Sequence, residues 1–324
     1  MRINVPEISR QIYKEDTLDK LYKNYSVIGP QWISFQVEWF NGIYASFKDH
    51  DKYLIVIFLI KKTLDFYSRN FIKLSFHEFY SKNKVEIEKF NIIEISKKLQ
   101  IPKETARRKV FELEKEGIIK RIKSKIIIDR SAFPYAKPTL SKKRISRFLA
   151  TFSKILEKEK ILSKSISSKT LEEVIDNNFS YAWKIYYEIQ IPMLISYKEI
   201  FGQIENFHIF GVCVVNQHLH IQKENETLMN RKEFLKSLSI DRSTVGLNAM
   251  SISDITGIPR ATVVRKLKYL VKEGFLIIDN KKHYKLKGSF VNKLVPLQNI
   301  VLSRLADFST RIYNLIILFF INNF

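Results

Sequence analysis

The sequence predicts a mainly α-helical chain with small β-hairpins, built around two helix–turn–helix units in tandem, each preceded by aromatic-rich helices. Three observations lead to this fold class. Residues 91 to 117 and 248 to 274 align without a gap and share twelve of 27 positions, so the chain carries an internal duplication. Within each copy the apolar residues recur at helical spacing. After each copy the spacing changes to short β-branched or aromatic runs around a basic tip.

The identities are Asn91/Asn248, Ile95/Ile252, Ser96/Ser253, Ile101/Ile258, Pro102/Pro259, Thr105/Thr262, Arg108/Arg265, Lys109/Lys266, Leu113/Leu270, Lys115/Lys272, Glu116/Glu273 and Gly117/Gly274. Each has a local reading. Asn91 and Asn248 are N-caps that start a first helix, with Glu94 placed to reach back as in a capping box. Pro102 and Pro259, with fixed φ and no donor to lose, open a second helix at its first position. Gly117 and Gly274 end it in the left-handed conformation that glycine adopts without strain.

In the second helix Ala106, Val110 and Leu113 recur at i, i+4, i+7, as do Val263, Leu267 and Leu270, so each copy buries one stripe. At about 100° per residue, Arg108 and Arg265 project almost opposite that stripe. Lys103, Glu104, Thr105 and Arg107 share the outer surface in the first copy; Arg260, Ala261, Thr262 and Lys268 do so in the second. A basic rod roughly 10–12 Å across fits the major groove of B-DNA, about 12 Å wide. The hairpins read over 118 to 129 and 275 to 286 add Lys120, Arg121, Lys123 and Lys125, then Lys281, Lys282 and His283, as residues able to grip phosphate.

A helix–turn–helix followed by a basic hairpin, or wing, resembles the winged-helix DNA-binding domains of bacterial regulators, notably the MarR and GntR types. Their motif runs through a turn into Thr-apolar, Arg, Leu, Leu and a closing glycine; Thr105, Arg108, Val110, Leu113 and Gly117 match it, and Thr262, Arg265, Leu267, Leu270 and Gly274 match it again. The resemblance covers roughly residues 91 to 130 and 248 to 287. It departs from the family pattern in two ways: proline stands where a serine-like cap is usual, and one chain carries two domains. It implies double-stranded DNA as partner, with Arg108 and Arg265 on guanines and Thr105 and Thr262 on a base or a phosphate.

Composition agrees with a polyanionic partner. Against 33 acidic residues stand 55 Lys and Arg, a net charge of +22. The single cysteine, Cys213, excludes a disulfide within the chain and reads as a small buried hydrophobe of a cytoplasmic protein. Residues 1 to 10 are polar and show no secretory leader. The apolar runs 53 to 60 and 315 to 321 are too short to span a bilayer, so no membrane partner is expected.

In chain order, residues 1–28 read as an N-terminal arm, weakly helical from Thr17 to Tyr25. Residues 29–138 hold an aromatic helix from Gln31 to Phe47, an apolar helix from Tyr53 to Tyr67 and the first winged helix. Residues 139–178 form a helical linker whose Lys142, Lys143, Arg144 and Arg147 are either solvated or set against phosphate, with a joint at Ser163 to Ser168. Residues 179–295 repeat the aromatic preface, from Trp183, and the winged helix. Residues 296–324 form an apolar C-terminal helix, with Leu305, Ile312, Phe319 and Phe320 on one face. That helix folds back over the second domain or forms a homodimer; a membrane anchor is the third reading, against which stand Arg304, Asp307 and Arg311 in its apolar face, and the aromatic helices allow a small hydrophobic effector between them.

Catalytic chemistry is not expected. No glycine-rich phosphate loop or Cys/His cluster occurs, His218 and His220 lack a third ligand for a metal, and nine glycines leave few backbone cradles. No cofactor is called for. The reading is a sequence-specific, double-stranded-DNA-binding transcriptional regulator. Its alternatives are a replication initiator of plasmid or phage type, which shares the tandem architecture, and a winged-helix adaptor between proteins.

Overall fold

The structure, a computed structural model, describes residues 11–123, 125–132, 137–224, 228–239 and 246–321. The polar residues 1 to 10 lie outside them, as do the side chains of Phe319 and Phe320. Among the described residues the chain is mainly helical, with 14 α-helices and two small antiparallel sheets.

The first half runs α1 (Lys14–Lys23), α2 (Tyr25–Phe47), α3 (His50–Arg69), α4 (Phe76–Tyr80), β1 (Lys84–Ile87), α5 (Ile92–Leu99), α6 (Lys103–Lys115), β2 (Ile119–Ile122), β3 (Lys125–Asp129) and α7 (Thr139–Lys158). The second half follows the same order of helices and hairpin, with no strand between its fourth and fifth helices among the described residues: α8 (Ser168–Asn177), α9 (Phe179–Phe201), α10 (Ile204–Glu224), α11 (Arg231–Ser239), α12 (Ala249–Thr256), α13 (Arg260–Lys272), β4 (Leu276–Ile278), β5 (Tyr284–Leu286) and α14 (Val291–Ile321). Lengths agree as well: α1 and α8 have 10 residues, α2 and α9 have 23, α5 and α12 have 8, and α6 and α13 have 13.

The halves interlock. Helix α3 packs on α9, and α10 packs on α2; at the ends α1 packs on α14, and α8 on α7. Every one of these pairings crosses from one half to the other, so the buried apolar residues form one continuous core. Polar bonds fix the seam: Tyr197 donates its hydroxyl to Gln36 Oε1 at 2.8 Å, Lys198 Nζ meets Asp51 at 3.0 Å, and Thr310 donates to Thr17 Oγ1 at 2.8 Å. A buried hydroxyl or amide is costly unless it is paired in this way.

The two long aromatic helices each contain a proline, which removes one helical hydrogen bond and frees the carbonyl four residues earlier. In α2 the carbonyl released by Pro30 is that of Ser26, and Gln222 of α10 donates to it at 3.2 Å. In α9 Pro192 releases the carbonyl of Glu188, and Arg304 of α14 donates to it at 3.2 Å. A partner from another helix therefore lets α2 run through Pro30 and start at Tyr25, earlier than the expected Gln31.

The aromatic faces fill the centre. Trp39 lies 5.3 Å from Tyr53 and 6.3 Å from Tyr186, ring centre to ring centre, and Tyr186 lies 5.0 Å from Trp183. The apolar run 53 to 60 lies inside α3, with Leu54, Ile55 and Leu59 fully buried. Among the described residues no helix is long and apolar enough to cross a membrane.

The stretches read as arm, linker and tail carry α1, α7 with α8, and α14. Helix α14 packs along α1 and α9, with Leu305, Phe308, Ile312 and Tyr313 buried within the chain, whereas Ile300 on the same helix is 44% exposed. Lys142 is neither solvated nor free for phosphate. It is 4% exposed, hydrogen-bonds Asp176 of α8 and sits 4.4 Å from the centre of the Phe76 ring.

Candidate nucleic-acid interface

The candidate surface is carried by α5 with α6 and by α12 with α13, each pair followed by its hairpin. Asn91 Oδ1 accepts from the backbone N–H of Glu94 at 2.7 Å, and Asn248 Oδ1 accepts from Ser251 at 2.9 Å, which are the expected caps. The Glu94 carboxylate does not reach back to complete a box; Lys62 of α3 holds it at 3.0 Å, the stronger, charge-assisted bond. Left-handed Gln100 (φ 52°) and Gly257 (φ 68°) close the first helices.

Pro102 and Pro259 stand one position earlier than expected. Their ψ values, 137° and 135°, are extended, so each is the N-cap and helix begins at Lys103 or Arg260. The proline carbonyls still accept the first helical bonds, from Ala106 at 2.9 Å and Val263 at 3.0 Å. At the other end Gly117 and Gly274 share φ of 74°. Beyond them Ile118 N–H bonds Leu113 O at 3.0 Å and Phe275 N–H bonds Leu270 O at 2.9 Å, the crossed pattern of a Schellman end.

This frame orients the candidate side chains. Ala106, Val110 and Leu113 are buried, as are Val263, Leu267 and Leu270, and the opposite faces lie in solvent. Lys103, Glu104, Arg107 and Arg108 are exposed with Thr105 half-buried; Arg260, Ala261, Arg265 and Lys268 are exposed with Thr262 half-buried.

The hairpins differ. In the first, β3 lies between β1 and β2, with Lys120 opposite Ile127 and Ile122 opposite Lys125. In the second, among the described residues, β4 pairs with β5, and Leu247 makes a single bridge to Tyr284 where the first hairpin has its third strand. Lys120, Arg121, Lys123 and Lys125 are exposed, as are Lys281 and Lys282, whereas His283 is half-buried. Asp279, which the sequence reading passed over, folds the second tip: its Oδ1 accepts from the backbone N–H groups of Lys281 and His283, both at 2.9 Å. Those N–H bonds, His283's first, hold its carboxyl below the usual range. An aspartate two residues before a Lys-Lys pair is the signal that marks such a turn.

Several candidate cations already have partners. Arg107 pairs with Glu104 at 2.9 Å, Arg121 with Glu114 at 2.8 Å, Lys125 with Glu86 at 2.8 Å and Lys120 with buried Asp129 at 2.8 Å. The Lys120 bond, then that of Ser131, brings the Asp129 carboxyl down to about 2. Beside Arg107 and Arg108, α6 carries Phe111, 64% exposed, on the lip of an open crevice of about 680 Å³ that extends to Ile92 and Arg121.

Two residues shared by both copies turn inward. Lys109 bonds Asp49, the N-cap of α3, and Glu112. Lys266 bonds Gln203, which directly precedes α10. Each anchors its outer helix to the central bundle. Their retention beside the apolar stripe, instead of on the outer face, was the available sign.

Elsewhere, Cys213 is buried and its thiol is pushed up to about 12 by burial, which suits packing rather than redox chemistry. His218 packs edge-on against Phe234 at 5.0 Å, and burial brings it down to about 3. Among the described residues no group of His, Cys, Asp and Glu is placed to hold a metal ion. Compared with protein-family models, curated proteins and solved structures, the chain finds no match in any of the three.

Proposed function

We propose that the chain is a double-stranded-DNA-binding transcriptional regulator that reads sequence with α6 and α13. One observation carries this: in both copies the same arginine, Arg108 or Arg265, stands in solvent on a helix whose opposite face is sealed into the core, with a basic hairpin next to it. In support, the first copy has the order strand, helix, helix, hairpin of a winged helix, the second has helix, helix, hairpin, and a rigid, exposed, basic helix is what major-groove recognition requires.

The repeating unit in this reading is an entire half, α1 to α7 and α8 to α14, because the helix order and the cross-packing correspond over that span and four helix pairs match in length. One chain then presents two reading heads where a one-domain regulator needs two subunits. The cap of each reading helix is a proline, so the helix N-terminus keeps its N–H groups free for phosphate.

Selection of bound duplexes from a random pool tests the proposal directly. A defined motif is the expected result. On the selected site, R108A and R265A should each weaken binding by about 1–3 kcal/mol. If both variants bind that site as tightly as the unaltered protein, the reading is wrong.

A further inference from the structure

The two candidate reading faces have the same backbone and different electrostatics. Over its 13 residues α6 holds five basic side chains (Lys103, Arg107, Arg108, Lys109 and Lys115) against three acidic ones (Glu104, Glu112 and Glu114), a net charge of +2. Helix α13 holds five basic side chains (Arg260, Arg265, Lys266, Lys268 and Lys272) and no acidic one, a net charge of +5. Pairing widens the gap. Arg107, Arg121 and Lys125 of the first copy each sit on a carboxylate, whereas Arg260, Arg265 and Lys268 meet none among the described residues. At the position of Lys268 the first copy has exposed Phe111.

A cation already neutralised by a neighbouring carboxylate releases few counterions when it approaches phosphate, because the charge it adds is partly cancelled. An unpaired one contributes fully, at about 0.9 in the slope of log K against log salt per phosphate. Base edges impose a different requirement. A carboxylate can accept from cytosine N4, an arginine held in place by that carboxylate can bond a guanine, and an exposed ring can contact a thymine methyl. Glu104, Arg107 and Phe111 offer these chemistries on one face, since 104, 107 and 111 are neighbours at helical spacing.

We infer, building on the function proposed above, that the two copies divide the work on an asymmetric DNA site: the α13 face supplies the phosphate-driven affinity, and the α6 face supplies base discrimination with little net charge. The bound sequence is therefore two unlike half-sites instead of a palindrome.

The test is duplex binding by the full chain over a salt series, first on random-sequence DNA. On random-sequence DNA, where Arg265 has no cognate guanine and its charge meets phosphate, the R260A/R265A/K268A variant should flatten the salt slope by about 2–3, as three lost phosphate contacts require. The matched R107A/R121A/K125A variant, also three charges removed, should flatten it by less than about 1. An E104A/E114A variant should bind random DNA more tightly and with a steeper slope, a gain that misfolding cannot imitate. The selected motif should lack two-fold symmetry. Equal flattening by the two triple variants, an unchanged slope in E104A/E114A, or a palindromic motif would each overturn the division of labour while leaving DNA binding intact. Failure of the unaltered chain to bind any duplex at low salt would remove the underlying function as well.

Discussion

Lys109 and Lys266 occupy the same place in the two halves, on the inner edge of α6 and of α13, yet their surroundings push them in opposite directions. Burial alone would depress Lys109, but the carboxylates of Asp49 and Glu112 outweigh it and hold the ammonium above its ordinary value. Lys266 has a neutral amide, Gln203, in place of Asp49; burial dominates, and its affinity for a proton falls despite Glu205 nearby. Identical residues on identical backbone thus make an ionic anchor in one half and a neutral-acceptor anchor in the other. Packing carries the repeat, and charge varies on it.

If packing is the common element, equivalent core truncations should cost the same in both halves. Leu113 and Leu270 are both fully buried, so L113A and L270A should each lower stability by about 2–5 kcal/mol in urea titrations. A cost confined to one half would break the comparison. Truncating the anchors should then separate the halves. K109M leaves Asp49 without its main counter-charge and should destabilise by about 1–3 kcal/mol. K266M removes a poorly hydrated ammonium facing a neutral amide and should be near neutral. Q203E, which rebuilds the first half's acid in the second, should make K266M costly.

The caps give a smaller and symmetric effect. N91A and N248A should each cost about 1 kcal/mol, because each strands one backbone N–H at a helix start. Smallest is the pH dependence, and there the two lysines should show opposite signs. Lys109 binds its proton more tightly folded than unfolded, so its contribution is complete below the unfolded value of 10.5 and is lost as pH rises through the higher folded value. Lys266 binds its proton less tightly when folded. Its contribution to stability therefore grows as pH rises from its lowered folded value toward 10.5. Denaturation midpoints measured between pH 7 and 10.5 should rise less steeply in K266M than in the unaltered chain.

Much of the candidate interface was legible from residues a few positions apart. The Asn91 and Asn248 caps, the glycine ends and the buried stripes are local, and spacing alone places Arg108 opposite the stripe. What was misread involves distant partners. Along the chain nothing near Glu94 competes with a capping box, whereas Lys62 approaches it only once α3 and α5 pack. Lys142 stood in a basic cluster, and its burial against Asp176 depends on α7 meeting α8. Local sequence starts the helix after Pro30, because the Gln222 donor that lets it run through the proline lies 196 positions from Ser26.

By itself the sequence determined the caps and glycine ends of the duplicated helices, which face of each is apolar, and that the segment 91 to 117 recurs at 248 to 274. Those properties follow from backbone geometry and side-chain shape within a turn or two of the chain. Only the tertiary structure decided which cations remain free and which are matched, because that depends on side chains such as Asp49 and Lys109, 60 positions apart. It likewise decided that each half closes on the other's terminal helix. Burial of the α1 and α8 apolar faces needs a partner surface, and the surface that meets each belongs to the opposite half.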